Sequence, residues 1–360
     1  MLRTFNFKKV NDSVDAVVEQ ALELARQVYE NKISDTYKED NINVLKGMGK
    51  FMTEGTRFEK AYEDKGLALF NNPQVYRSSA VRENFNLVVS QIVSAIVPEV
   101  VNADFARYIA EVHQVGFGDT ARFLIESNDL FRVNMKAEGV RKGVDQPIFD
   151  NELTVNAHPF TVDTSVDFYH IASGVFNIGA FGVRIAKSFQ AFIFINAVKG
   201  MTEAATKFGT AYSANGVTPE LFGDLRDKVS AANGGAQVVA IGTRVALSNL
   251  SLEGNFQVQI GEEMNKVGYL DQYLGVPLIG LDNVLVPGTT NSTAKLALSN
   301  DVIYLVPMMG DRPVKIVFEG DQISVEFDPA HTADSRYGIS VEMRIGVAAI
   351  CGSKYGIINL

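Results

Sequence analysis

Four histidines, one cysteine and a few glycine turns are where this 360-residue chain could do chemistry. His113, His158, His170 and His331 share no metal-ligand spacing with one another. They predict ordinary core or surface histidines, and no metal. Cys351 stands alone, so no intrachain disulfide forms, and its apolar strand setting predicts a small buried residue rather than a reactive thiol. "GFGDTA" offers Gly116 and Gly118 but no third glycine at fingerprint spacing, and strand-like residues follow where a dinucleotide turn needs a helix. "VVAIGTRVA" runs a buried strand through Gly242 into a helix N-terminus, a geometry that can hold an anion. It lacks the phosphate-loop lysine and a glycine-rich turn, and strand–Gly–cap–helix is also the ordinary link between strand and helix. No G-x-S-x-G occurs. Glu262 and Glu263 are adjacent, so on any regular element they diverge, as on a solvated face. These residues predict no catalytic centre and no cofactor; an α/β enzyme holding a phosphate-containing ligand near Gly242 is the reading to test against.

The elements that would position such residues come next. The chain is 46% hydrophobic and 21% charged, enough for one large or two modest cores. A net charge of −9 disfavours generic attraction to nucleic acid. The single cysteine suits a reducing compartment. No uninterrupted apolar run of about 18 residues predicts a membrane span, and the first residues lack the pattern of a signal peptide.

Val14, Val17, Val18, Ala21, Leu22, Ala25 and Val28 recur at helical spacing, with Asp12 or Ser13 as N-cap. Gly47, Gly49, Gly55 and Gly66 then predict an arm of short elements rather than a packed domain. "FNLVVSQIVSAIVPEVV" predicts an apolar helix that Pro98 breaks or kinks. "ARFLIESNDLFRVNM" and "FDNELTVNAHPFTVD" are strand-like around a Gly/Pro-containing polar tip, a two-stranded loop too long to stand alone in water. Ile178, Phe181, Ile185, Phe189 and Phe192 make one stripe of a helix from about Val175 to Lys207, about 50 Å at 1.5 Å per residue. "VTPELFGDLRDKVSAANGG" places Thr218 as N-cap, Pro219 at the first helical position and Gly234 past the end. "AQVVAIG" is a short buried strand, and Thr243 starts another helix. The closing stretch alternates from Tyr337 to Val347, then "VAAI" breaks the alternation, as if both faces become covered.

With "KVSAANGGAQVVAIGTRVAL", "LSNDVIYLVP", "RPVKIVFEGD" and "GVAAICGSKYGI" in place, the chain resembles the major capsid proteins of tailed bacteriophages, whose Hong-Kong-ninety-seven-like fold is shared with encapsulins. The resemblance rests on the order of elements over nearly the whole chain, not on one motif. It implies an α+β fold: an N-terminal arm (about 1–75), a helical segment of the peripheral region (76–116), an extended loop (117–167), a peripheral spine helix (168–216), an α/β axial domain (217–320) and C-terminal peripheral strands (321–360). It implies a shell protein rather than an enzyme, self-assembling through pentamers and hexamers around a double-stranded DNA genome that it encloses without reading sequence. It implies procapsid maturation with scaffolding protein, portal, and in some relatives a decoration protein and maturation protease, in a virion assembled in a bacterial cytoplasm.

Lys136, Arg141 and Lys142, near the loop tip, are the residues the resemblance places against an adjacent subunit. A Lys–Asn cross-link of the kind some relatives make would use Lys136 or Lys142 with Asn359, but no glutamate follows Asn359. The arm favours a virus over an encapsulin compartment, the nearest alternative. Truncation after Gly346 is expected to abolish folding or assembly.

Overall fold

The computed structural model describes residues 14–101, 109–126, 130–133, 135, 138, 146, 148–207, 209–252, 268–308, 312–320, 324–328, 336–349 and 352–360. In chain order these form α1 (Val14–Tyr29), α2 (Tyr37–Thr53), α3 (Glu59–Lys65), α4 (Pro73–Tyr76) and α5 (Ser79–Val101). Then come β1 (Ala110–Val115), β2 (Ala121–Glu126), β3 (Phe149–Val155), β4 (His158–Asp167), α6 (Phe168–Ala172) and the long α7 (Ile178–Lys207). There follow β5 (Ser213–Asn215), α8 (Pro219–Ala232), β6 (Val238–Thr243), α9 (Arg244–Leu252), β7 (Gln272–Tyr273) and β8 (Val276–Leu281). The chain closes with β9 (Val302–Pro307), β10 (Val314–Glu319), β11 (Ser324–Asp328), β12 (Arg336–Ala349) and β13 (Gly356–Asn359). It divides into one unit of Met1–Ala103, Pro159–Gln190 and Asp321–Arg344, and a second of Asp104–His158, Ala191–Gly320 and Ile345–Leu360.

In the first unit α1, α2 and α5 pack together through Leu24, Val44, Leu45, Met52, Phe85 and Val89, all fully buried. Glycine was expected to break the α2 region into short pieces, yet Gly47 and Gly49 lie inside a 17-residue helix. The reason is close approach: a Cβ on Gly49 would lie 2.6 Å from the ring carbon Cζ of Tyr62, whose hydroxyl donates to the Lys46 carbonyl at 2.8 Å. The α5 helix likewise runs through Pro98 to Val101, so the proline, one turn from that end, does not break it. Tyr37 donates to Asn177 Oδ1 at 2.6 Å and Asn41 Nδ2 to the Phe176 carbonyl at 2.8 Å, fixing α2 against the entry of α7. A Cβ on Gly179 would come within 2.9 Å of the Leu24 backbone, so α1 and α7 meet without an intervening side chain. The expected caps Asp12 and Ser13 lie outside the described residues.

Ile178–Ala205 is long and apolar enough by composition to cross a bilayer. Its side chains are instead packed within the protein: Ile178, Ile185, Phe189, Ile193 and Ala197 are all buried.

The second unit holds a six-stranded sheet in the order β5-β13-β9-β6-β8-β7. Thr218 caps α8 by accepting from Leu221 N–H at 3.3 Å, with Pro219 in the first turn and Gly234 beyond it at φ +66°. Phe222, Leu225 and Val229 of α8 and Ala246, Leu247 and Leu250 of α9 pack on one face of this sheet, against Val238, Ala240, Ile303 and Leu305. β6 is buried along its whole length, which its unbroken apolar sequence requires. The last strand, β13, lies inside this sheet, parallel to β5 and antiparallel to β9. Tyr355, just before it, is fully buried and donates to the Met201 carbonyl at 2.5 Å.

Candidate functional site

Gly242 was the position at which a ligand was most plausible on sequence. In the structure it ends β6, and Thr243 Oγ1 accepts from Ala246 N–H at 3.1 Å, so α9 is capped by its own chain. A cavity of about 310 Å³ opens beside it, lined by Ile195, Val198, Thr202, Leu281, Leu298 and Tyr304 among others. Its walls are mainly apolar, and Thr202 and Tyr304 hydrogen-bond each other at 2.8 Å. The cation there, Lys199, sits 3.8 Å from Glu203. This is a connection between strand and helix with its donors turned inward, not a cradle of N–H groups aimed at a phosphate. The "GFGDTA" turn is similar: Gly118 adopts φ +83° and donates its N–H to Glu319 Oε1 at 2.8 Å. Among the described residues no group of His, Cys, Asp and Glu could hold a metal. Cys351, His331, Glu262 and Glu263 lie outside the described residues.

The more developed arrangement is at the root of the hairpin β2–β3. β10 pairs parallel with β1 and antiparallel with Ile345–Ala349 of β12. One face of these strands carries Val115, Val317 and Ala348, and onto it Ala121, Phe123, Ile125 and Val155 of the hairpin pack. Ala349 points to the other face, where a Cβ on Gly200 of α7 would lie 3.3 Å from its own Cβ. The loss of alternation at "VAAI" therefore has the cause expected of it: the hairpin covers one face and α7 the other. Gly346 lies where the hairpin chain passes over β12. A Cβ there would sit 2.7 Å from the Asn156 carbonyl oxygen and 3.0 Å from Val155 Cγ1.

A charged cluster lies on the same covered face. In the β1–β10 register Glu111 sits beside Lys315, and the period of two puts His113 on the side of Glu111. Lys315 Nζ donates to Glu111 Oε2, and His113 Nε2 lies 2.6 Å from Oε1. A carboxylate oxygen only accepts, so His113 carries its proton on Nε2. The Lys315 side chain is 4% exposed. Its ammonium lies 5.5 Å from the centre of the Phe123 ring, whose face the edge of the His113 ring meets at 4.9 Å. Burial would raise the Glu111 carboxyl, but the hydrogen bonds and charges of Lys315 and His113 outweigh it and hold the group below its ordinary value.

Away from the root, the hairpin exposes apolar side chains. Leu124 faces outward, and Leu130, Phe131, Val133, Met135 and Ile148 are exposed, Val133 and Met135 completely. Gln146 bridges the two arms there, its amide accepting from Arg132 N–H at 2.8 Å and donating to Arg132 C=O at 3.0 Å. Lys136, Arg141 and Lys142, the residues expected to touch a neighbour, lie outside the described residues. The sequence reading fixed on those charges and passed over "LFRVNM", whose apolar residues have no partner strand in the alternation. It also missed the Glu111–Lys315–His113 cluster; a lone lysine inside the apolar strand "VKIVFE" was its one local sign.

The family model described as "SPbeta prophage-derived putative capsid protein YonB" matches residues 17–359. No curated protein matches the chain. Among solved structures, the chain is similar to the mature capsid of bacteriophage PhiM1, at 10% identity and TM-score 0.46 over 71% of this chain and 87% of that one. It is similar to the capsid of Cyanophage P-SCSP1u, at 11% identity and TM-score 0.45 over 71% and 88%. It is also similar to the holo-SrpI encapsulin complex from Synechococcus elongatus PCC 7942, at 13% identity and TM-score 0.40 over 69% and 84%. At such TM-scores these likenesses do not decide between virus and compartment.

Proposed function

Since the chain belongs to the family of the SPbeta prophage-derived putative capsid protein YonB, we propose that copies of it join through their hairpins into the icosahedral shell of a bacteriophage. It is a capsid protein, located in the virion shell, and it associates with itself. The observation that supports the hairpin's role is its division of labour. Its root is packed on its own subunit, while Leu124, Leu130, Phe131, Val133 and Met135 are left to water. An exposed apolar run of this kind calls for a covering surface, and in a self-assembling shell that surface is another copy.

Under this reading residues 117–167 are the extended loop, and Lys136, Arg141 and Lys142 flank the contact. Residues of about 1–75 reach neighbouring subunits, the helical segment 76–116, α7 within 168–216 and the strands of 321–360 serve the peripheral region, and about 217–320 meet their copies around fivefold and sixfold axes, joined by β13. A scaffolding protein, a portal and a maturation step complete the pathway in the bacterial cytoplasm, and a decoration protein and protease are further partners. The chain acts through interfaces, not as an enzyme. The test is expression of the chain alone, light scattering for mass and electron microscopy of the heaviest fraction. Rings of five or six, or closed shells, are expected. A monomer that stays monomeric at high concentration, with and without added phage proteins, would overturn the proposal, and a cargo enzyme inside the shells would reassign it to a cellular compartment.

A further inference from the structure

We propose that Glu111, Lys315 and His113 form a charge latch that keeps the hairpin root seated on its sheet, and that neutralising Glu111 releases the hairpin. This deepens the assembly reading, on which its purpose rests, by naming what governs the element proposed to make the contact; its geometry stands without that reading.

Lys315 lies under Phe123 of the hairpin, on the covered face of the sheet, where an ammonium needs a counter-charge. Glu111 supplies it from β1, and is held in place from its other oxygen by His113. The other charged groups around the cluster are turned to different partners. Glu319 of β10 accepts from the Gly118 N–H at 2.8 Å. Arg312 donates to the Ala110 carbonyl at 2.8 Å. Arg122 of β2 lies on the outer side, 3.6 Å from Glu152 of β3. From β12 the face receives Ala348 and Gly346, which carry no charge. Losing the Glu111 charge therefore leaves the ammonium beneath an aromatic ring without its carboxylate, and water reaches it most directly if the hairpin lifts. The same layer contains the Val317–Phe123–Val155 contacts, so lifting exposes apolar surface and reorients the hairpin as a body. Glu111 is only partly exposed, so solvent reaches the latch without prior unfolding.

The sign of the pH effect follows from the carboxyl being held below its ordinary value of 4.5. The latch's contribution is complete above that value and is lost as pH falls through the lowered one.

Hydrogen exchange read by mass spectrometry on the full chain tests this. Glu111→Gln is expected to speed exchange of 121–126 and 149–155 about tenfold or more, with 238–243 and 302–307 unchanged. Lys315→Met, and the Glu111→Gln/Lys315→Met double variant, should stay within about threefold of the parent, because the stranded charge is gone. A double variant as fast as Glu111→Gln alone, or Glu111→Gln at the parent rate, would overturn the latch. If Glu111→Gln loses protection everywhere, the unaltered protein decides. Between pH about 7 and about 3, after correction for intrinsic rates, its hairpin should lose protection before the six-stranded sheet does; hairpin protection that survives as long as the sheet's refutes the proposal. Light scattering on the same samples keeps the two ideas apart: a monomer with a working latch sinks the assembly reading and leaves the latch standing.

Discussion

Gly346→Ala tests the packing of hairpin on sheet with one carbon atom. The added Cβ would lie 2.7 Å from the Asn156 carbonyl oxygen and 3.1 Å from its carbonyl carbon. Both are backbone atoms, so no flexible side chain can swing aside. Overpacking of this kind costs about 1–3 kcal/mol. Against it, alanine restricts the unfolded chain and returns about 0.4–1 kcal/mol, since Gly346 is not among the glycines with positive φ. The net expectation is a loss of about 1.5 kcal/mol, which at a urea slope of about 2 kcal/mol/M moves the midpoint down by about 0.7 M. Gly223→Ala is the matched control: it lies within α8 with nothing within 4 Å of its added Cβ, so helix propensity should stabilise it by about 0.5–1 kcal/mol. Urea unfolding of the unassembled chains, followed by tyrosine fluorescence, reads both. The two midpoints should move in opposite directions. A Gly346→Ala midpoint at or above the parent's would show that hairpin and strand do not meet as described.

Replacing Leu130, Phe131, Val133 and Met135 together by serine should abolish shells in electron microscopy while leaving the monomer's urea midpoint within about 0.5 kcal/mol, because these side chains are exposed. Tyr355→Phe removes a buried hydroxyl and strands the Met201 carbonyl's second contact; a loss of about 1 kcal/mol is expected by the same titration. Burial pushes the Tyr62 hydroxyl up to about 12. Its unfolded-state value is near 10, so the first unit should keep full stability below that and lose it as pH rises towards 12, with Tyr62 the late step in an ultraviolet phenolate titration. Truncation after Ser353 removes β13 and Tyr355 and should yield no soluble shells; shells of normal size would show the strand to be dispensable.

What sequence made legible was local. Thr218, Pro219 and Gly234 bounded α8 because capping chemistry lies within a few residues of the ends it serves. The change from alternating residues to "VAAI" showed that both faces were covered, but not by what, since Ala348 and Ala349 meet partners from distant segments. Gly49 misled for the same reason: the ring of Tyr62 that explains it comes from another helix. Glu111 and His113 stand two apart and visibly share a strand face, yet the residue that gives them meaning is Lys315, on a strand whose pairing no spacing rule specifies. The apolar hairpin residues were visible as letters; that nothing in their own subunit covers them is a fact about the fold.

The strand pairings also set an order of events in time. β6 and β8 are joined through α9 within a short stretch of chain, whereas β5 must find β13 across 144 residues (Ser213 to Ile357) and β1 must find β10 across 204 (Ala110 to Val314). Pairings of such long range form late and slowly. Pulse-labelled refolding should protect 238–243 before 356–359, and the reverse order would refute this. Until β13 arrives, β5 and β9 are both open edges in the second unit. A newly made subunit therefore passes through an adhesive stage before it reaches the form meant for ordered assembly, and at the concentrations a shell demands, the race between closing that gap and joining a stranger's edge decides how much usable protein a cell obtains.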